Sequence, residues 1–368
     1  MTHIVVLGAG YAGQLAANLA ARTLNAEVTL VNERDRFVER VRLHQLAAGQ
    51  ELRRKPLADL LNGSGVKLVV DRVTAIDPAA RAVALAAGQP IHYDRLIYAL
   101  GSHADLEAAP GVAEHAFTVT SVEQAARLRE RVAAGGTATV VGGGLTGIEA
   151  AAELAESNPD LKVRLLTAGA LGGRLSERAR RHLHRTFARL GVEVREEARV
   201  SEVRADGAVL AGGEHVASDL VVWTTGFTVP PLARDAGLAV DEDGRMVVDE
   251  SMRSVSHPDV YGAGDAAAVH LDSGQELRMA CATGGPIAQA AVRAIGARLA
   301  GREPRRMRFR YLNQCISLGR RDGLIQFVHG DDSPRDAVLT GRFAALYKEI
   351  VVRGALSIQR HPSLPTSF

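Results

Sequence analysis

The chain has 368 residues, 46% hydrophobic and 23% charged, and a formal net charge of +2. That length supports two or three globular domains with real cores, and the balance excludes a fibrous or disordered polymer. So weak a field excludes nucleic acid as a partner, and two cysteines, Cys281 and Cys315, cannot form a disulfide scaffold or a CxxC pair.

The chain opens on HIVVLGAGYAG, an apolar strand running into Gly8, Gly10 and Gly13 and then a small-residue helix with Ala16, Ala17 and Ala20. Gly8 permits the tight turn, Gly10 lets backbone approach a pyrophosphate, and Gly13 lets helix and strand pack closely while the helix N-terminus faces the anion. Glu33 completes this fingerprint at the end of the next strand, where a carboxylate accepts both ribose hydroxyls of an adenosine. No secretion signal precedes the strand and no stretch is long enough to span a bilayer, so a cytoplasmic protein is expected.

DRLIYALGS, Asp94 to Ser102, closes the first unit, and the apolar pattern lapses between Pro110 and Ser121. The plan then repeats: TVVGGGLTG carries Gly142, Gly144 and Gly147, a helix follows with Ala151, Ala152 and Ala155, and KVRLLTAG and DLVVWTTGF come after. Two copies of one βαβ plan predict two parallel sheets and a second dinucleotide. At the second strand end Thr167 and Ala168 stand at the place Glu33 holds in the first unit, so no carboxylate bars a 2′-phosphate. Arg174 is either the partner of such a phosphate or a solvated surface residue.

VYGAGDAA, Val260 to Ala267, is a short strand running into Gly262, Gly264 and Asp265. From Pro304 onward RMRFRY alternates like an antiparallel strand, and a last helix is predicted over about Arg342 to Arg353, stopped by Gly354. Its stripe of Phe343, Leu346, Tyr347, Ile350 and Val351 is expected to be buried within the protein or a dimer in preference to lipid, with at most peripheral membrane contact. The histidines show no metal spacing, so no metal is expected.

The order GAGYAG, YALGS, GGGLTGIEAAAEL, TTGF, YGAGDAA resembles the two-dinucleotide flavoprotein reductases of the pyridine nucleotide-disulphide oxidoreductase superfamily, over about residues 3 to 300. Within it, the missing redox CxxC and RLHQLAAG at Arg42 to Gly49 resemble the type II NADH dehydrogenase and apoptosis-inducing-factor-like branch. The resemblance implies an α/β fold of two Rossmann-like domains, glutathione-reductase-like with three ββα layers, plus a small C-terminal α+β portion. It implies an FAD domain of residues 1–112 and 236–303, an NAD(P) domain of 113–235, and a tail of 304–368.

The resemblance also implies roles. Gly8, Gly10, Tyr11, Ala12, Gly13, Glu33, Arg34 and Arg42 would hold FAD, with Val73 at the adenine. Ala99, Leu100 and Gly101 would close over the cofactor, Gly264 and Asp265 would meet the ribityl chain, and Thr283 lies in Cys281 to Gly285, a helix N-terminus near the flavin. Gly142, Gly144, Leu145, Thr146, Gly147, Glu149, Arg174, Thr225, Gly226 and Phe227 would line the NAD(P)H site. His44, Glu149 and Cys281 are the candidate catalytic groups, with a packed loop histidine and a small buried filler as the plain alternatives for His44 and Cys281. Ala288 and Gln289 match the quinone-reducing branch, whereas Arg293 replaces a second amide.

The implied function is transfer of electrons from NAD(P)H through FAD to a quinone or another small conjugated acceptor. Two alternatives stay open: a reductase of a small acidic carrier such as a ferredoxin, facing Arg305, Arg306, Arg308, Arg310, Arg320 and Arg321, and a flavin-binding redox sensor.

Overall fold

In the computed structural model, which describes residues 1–366, the first glycine-rich repeat folds as β1 (Thr2–Leu7), α1 (Tyr11–Thr23) and β2 (Ala26–Asn32). It continues through a short helix α2 (Leu43–Ala47) to β3 (Lys67–Val70) and β4 (Arg95–Tyr98). Ile4, Val5, Val6 and Leu7 are all inaccessible, the unbroken apolar run that a parallel strand covered on both faces requires.

The second repeat uses the same parts. Helix α3 (Val122–Val132) precedes β5 (Gly136–Val141), α4 (Leu145–Ser157), β6 (Leu161–Leu166), α5 (Glu177–Leu190), β7 (Glu193–Arg195) and β8 (Leu220–Trp223). The chain then returns to the first sheet as β9 (Val260–Gly262), giving the all-parallel order β9-β4-β1-β2-β3. The second sheet runs from Ala116–Phe117 through β8-β5-β6-β7, also all parallel.

Each unit also carries a three-stranded antiparallel meander, over residues 73–92 before β4 and over 200–217 before β8. The duplication therefore extends to the third layer. The chain is an α/β protein with two Rossmann-like units.

Helices α3 and α5 start at serines whose side chains satisfy a first-turn amide, Ser121 to Gln124 N and Ser176 to Ala179 N. Helix α1 starts at Gly10, α4 at Gly144, and α6 (Cys281–Leu299) at Ala280, all without a side-chain cap. Their first-turn N–H groups are left for another acceptor.

The tail corrects the sequence reading in three places. RMRFRY buries Met307 and Tyr311 and leaves its arginines out, as the alternation predicts, yet it joins no sheet. Its amides go to irregular backbone, Met307 N to Glu250 O and Tyr311 N to Gly330 O. The tail sheet is instead β10 (Asn313–Ser317), β11 (Gly323–Val328) and β12 (Pro334–Thr340), all antiparallel.

The last helix, α7, spans Arg342–Arg360 and carries Gly354 in its interior. A glycine there costs about 1 kcal/mol relative to alanine, and the added turn anchors the helix on α1 through Asn18 Nδ2 to Gln359 O at 2.8 Å and Gln359 Nε2 to Tyr11 O at 3.2 Å.

Finally, the apolar stripe of α7 is not packed within the chain but faces out of it, which leaves the dimer alternative open: Phe343 is 76% exposed, Leu346 57% and Ile350 61%. The opposite face, with Ala344, Lys348 and Val352, is turned inward because the Lys348 ammonium has its partners there. Among the described residues no helix is long and apolar enough to cross a membrane.

One carboxylate fastens the tail sheet to α5. Asp322 accepts from His182 Nε2 at 3.0 Å, Thr186 Oγ1 at 3.0 Å, Arg189 Nη2 at 2.9 Å and the amides of Gly323 and Gly341. Burial alone would raise its pKa, but these donors hold it down at about 2.

Candidate functional site

The first glycine loop separates packing from access. A Cβ on Gly8 would lie 2.5 Å from Ala99 O, and one on Gly13 would lie 1.9 Å from Gly8 O, so both positions need bare backbone. Among the described residues a Cβ on Gly10 would meet nothing within 4 Å, which leaves the uncapped end of α1 open to a ligand. Asn32 Oδ1 fixes the strand end by accepting from Ala9 N at 2.9 Å, and Glu33 follows it, exposed.

Ala99 and Leu100 pack over Gly8 from the end of β4, and Gly101 follows them at φ +70°. Gly264 (φ +73°) brings the loop after β9 against Ala12. Asp265 there accepts from Ser102 Oγ at 2.7 Å and lies 3.8 Å from Arg40 Nη1. All these residues therefore meet at the carboxyl ends of β1, β2, β4 and β9, the edge where open α/β sheets bind ligands.

Sequence reasoning missed Arg40 and Ser102, whose service to Asp265 is visible only in three dimensions. Three expected residues have other partners. Arg34 pairs with Glu33 and Glu123, Arg42 pairs with Glu39 and with Glu349 of α7, and Thr283 turns its hydroxyl onto Arg278 O and Ala280 O. Val73 is half-buried in the first meander.

The second loop repeats the geometry. Gly142 N donates to Leu166 O at 2.8 Å as Gly8 N does to Val31 O at 2.8 Å, and a Cβ on Gly147 would lie 1.9 Å from Gly142 O while one on Gly144 would be free. Leu145 and Thr146 begin α4 beside this opening.

Strand register sharpens the comparison of the two acid positions. Leu7 pairs with Val31 and Val141 with Leu166, so Thr167 matches Asn32 and Ala168 matches Glu33. Thr167 is buried against Gly143, whereas Ala168 is exposed. Thr225 and Arg174 are exposed, Gly226 turns at φ +73°, and Phe227 lies 5.6 Å beneath the Arg40 guanidinium.

Between the two loops lies a buried polar cluster. Glu149 of α4 pairs with Lys348 of α7 at 2.9 Å and accepts from Ser317 N at 2.9 Å, and Lys348 also donates to Cys315 O at 2.9 Å. Burial would raise the Glu149 pKa, but Lys348, then His44, then the Ser317 amide bring it below the usual range. Burial would lower Lys348, and Glu149 more than offsets this. Both groups are therefore charged at neutral pH.

A cavity of about 20 Å³ beside Lys348, also lined by Gln45, Ser317 and Arg320, has room for a water. Cys281 is exposed at the first turn of α6, and His44 is buried, facing Glu153. Gln289 gives both amide hydrogens to Pro362 O and Leu364 O and accepts from Thr366, so the end of the tail covers it.

Comparison with known proteins agrees with this geometry. An NADH dehydrogenase-like protein of Mycobacterium tuberculosis is 34% identical over 312 residues, 78% of each chain. The demethylphylloquinone reductase NdbB of Synechocystis is 26% identical over 372 residues, 94% of this chain and 92% of that one. The sulfide:quinone oxidoreductase of Aquifex aeolicus superposes with a TM-score of 0.81 at 20% identity, covering 98% of this chain and 92% of that one. NDH2 of Plasmodium falciparum in complex with NADH gives 0.80 at 14% identity, covering 98% and 97%. These two likenesses show the fold. The sequence of residues 2–294 matches the pyridine nucleotide-disulphide oxidoreductase family, and the chain belongs to that family as an oxidoreductase enzyme of FAD and NAD(P)H.

Proposed function

We propose that the protein passes electrons from NAD(P)H through FAD to a quinone or a similar small conjugated acceptor. The observation that carries this reading is the buried Lys348–Glu149 pair, an ammonium held charged on the inner face of α7 between the two glycine loops. A quinone oxygen gains negative charge on reduction, and a preorganised ammonium stabilises that charge and donates a proton to it. The relatives include a demethylphylloquinone reductase and an alternative NAD(P)H-ubiquinone oxidoreductase of Arabidopsis thaliana, which supports the same acceptor class.

In this reading the open backbone at Gly10 and the α1 N-terminus take the FAD pyrophosphate, Glu33 takes its ribose, and Asp265, set by Ser102 and Arg40, takes the ribityl hydroxyls. Gly144 and the α4 N-terminus take the NAD(P)H pyrophosphate, and Glu149 orients the nicotinamide end. When bound, the flavin supplies the two-electron chemistry, and the protein supplies position and charge. Replacing Lys348 by methionine tests the assignment. Quinone-dependent turnover should fall roughly 100-fold while anaerobic bleaching by NAD(P)H persists; a wild-type quinone rate in K348M would refute the role.

Nucleotide choice follows from Ala168. Without a carboxylate at this strand end the enzyme should accept NADPH comparably with NADH, and Ala168→Glu should shift preference towards NADH by roughly tenfold or more, from repulsion of the 2′-phosphate. Steady-state kcat/KM for the two nucleotides decides it. Rejection of NADPH by the parent enzyme would show that another feature sets the choice.

A further inference from the structure

His44 of α2 and Glu153 of α4 face each other where the two units meet. His44 Nε2 lies 4.0 Å from Glu153 Oε2, and neither atom has a hydrogen-bond partner among the described residues. His44 is 5% exposed and Glu153 0%. The other Glu153 oxygen accepts from Gln50 Nε2. Around them Leu43, Ala47, Ile148 and Ala152 belong to the apolar core of the second unit. A purely structural pair in such a place would close to hydrogen-bond distance, and an apolar site would carry no carboxyl at all.

Charge settles how many protons the pair holds. Burial pushes the Glu153 pKa up to about 7, with Arg320 pulling down and Glu156 and Glu149 pushing up. Burial pushes the His44 imidazolium down to about 4, against Glu149, with Lys348, Arg320 and Arg42 adding to the fall. Near neutral pH His44 is therefore neutral and Glu153 is poised between its protonated and ionised forms. The charged group to which His44 couples most strongly is Glu149, the partner of Lys348.

We propose that His44 and Glu153 are the proton store of this enzyme, resupplying Lys348 through Glu149 after Lys348 has protonated the acceptor. The proposal rests on the quinone reading above. Its balance is NAD(P)H + Q + H⁺ → NAD(P)⁺ + QH₂: the nucleotide gives two electrons and one proton, and the quinone takes two of each. The missing proton leaves Lys348 for the quinone oxygen; the Glu153 carboxyl then gives its proton, by way of the neutral His44 ring, to the Glu149 carboxylate, which passes it to Lys348 and is ionised again. Solvent then restores the proton on Glu153. The two residues act as positioning and proton-holding groups, without contact to the substrate.

Glu153→Gln keeps the shape and the bond to Gln50 but removes the exchangeable proton. In the parent holoenzyme, quinone-dependent reoxidation should slow as pH rises through about 7, where Glu153 loses its proton. In E153Q it should be roughly tenfold slower and flat over that range, while E153D should restore the inflection. A readout independent of the acceptor accompanies this. Infrared titration of the parent, with and without flavin, should show a protonated-carboxyl band disappearing near pH 7 that E153Q lacks.

If E153Q fails to retain flavin, His44→Asn serves instead, and its inflection should move. A parent pH profile in E153Q, or an unmoved inflection in H44N, would overturn the proposal. An intact carboxyl titration without quinone reduction would refute the quinone reading and show a proton pair serving no such acceptor, which also ends the proposal as stated.

Discussion

Gly147→Ala should give a yellow protein that NAD(P)H can no longer reduce at a useful rate. The added methyl would sit 1.9 Å from Gly142 O and 2.7 Å from Thr224 Oγ1, so α4 must move away from β5 by the better part of an ångström or more. That displacement moves Gly144 and Glu149 together, because both ride on the same helix end. A misplacement of about 1 Å at a hydride-transfer site costs roughly 100-fold in rate. The first unit, with its own loop at Gly8 to Gly13, is untouched, and FAD content should stay at one per chain. Stopped-flow bleaching with NADH, set against the flavin absorbance of the purified protein, separates the two. Parent-like bleaching in G147A would show that the second loop does not seat the nucleotide.

Gly13→Ala should do the reverse and yield protein purified without colour. A Cβ there would stand 1.9 Å from Gly8 O and 3.1 Å from Ala99 Cβ, so α1 cannot keep its seat against β1 and β4. Overpacking of this kind costs about 1–3 kcal/mol of stability by itself, and loss of a tightly bound ligand lowers the melting temperature further. Added FAD should raise the melting temperature of G13A by less than it raises that of flavin-stripped parent. Full flavin occupancy in G13A would contradict the assignment of the first loop.

These two glycines were legible in the sequence because the constraint they answer is local. A turn, a helix start and a strand end lie within a few residues, and the motif states all three. The strand-end position of Glu33 was legible for the same reason, and so was the duplication, since each copy announces itself by the same string. Ala168 needed strand register to be singled out from Thr167, because a one-residue offset at a strand end reverses which side chain faces the ligand.

Lys348 was not legible. Its partner Glu149 lies in another unit, and nothing about a lone lysine on an amphipathic helix says which face turns inward. The apolar stripe of α7 is left outside the single chain for that reason: a charged pair with two further hydrogen-bonded partners took the inner face. The alternation in RMRFRY reported burial correctly and pairing wrongly, since side-chain alternation requires an extended chain but not a neighbouring strand. The proposed basic face is also reduced in three dimensions, with Arg306 engaged by Asp272 and Arg320 by Glu349.

The acceptor is the central claim, and one measurement addresses it most directly. Purified protein reduced anaerobically with one equivalent of NADH is mixed with a short-chain ubiquinone, a naphthoquinone or a ferredoxin, and the return of flavin absorbance is followed in time. The quinones should reoxidise the flavin within the turnover time and the ferredoxin should not. Fast reoxidation by the ferredoxin alone, or by none of the three, would contradict the account.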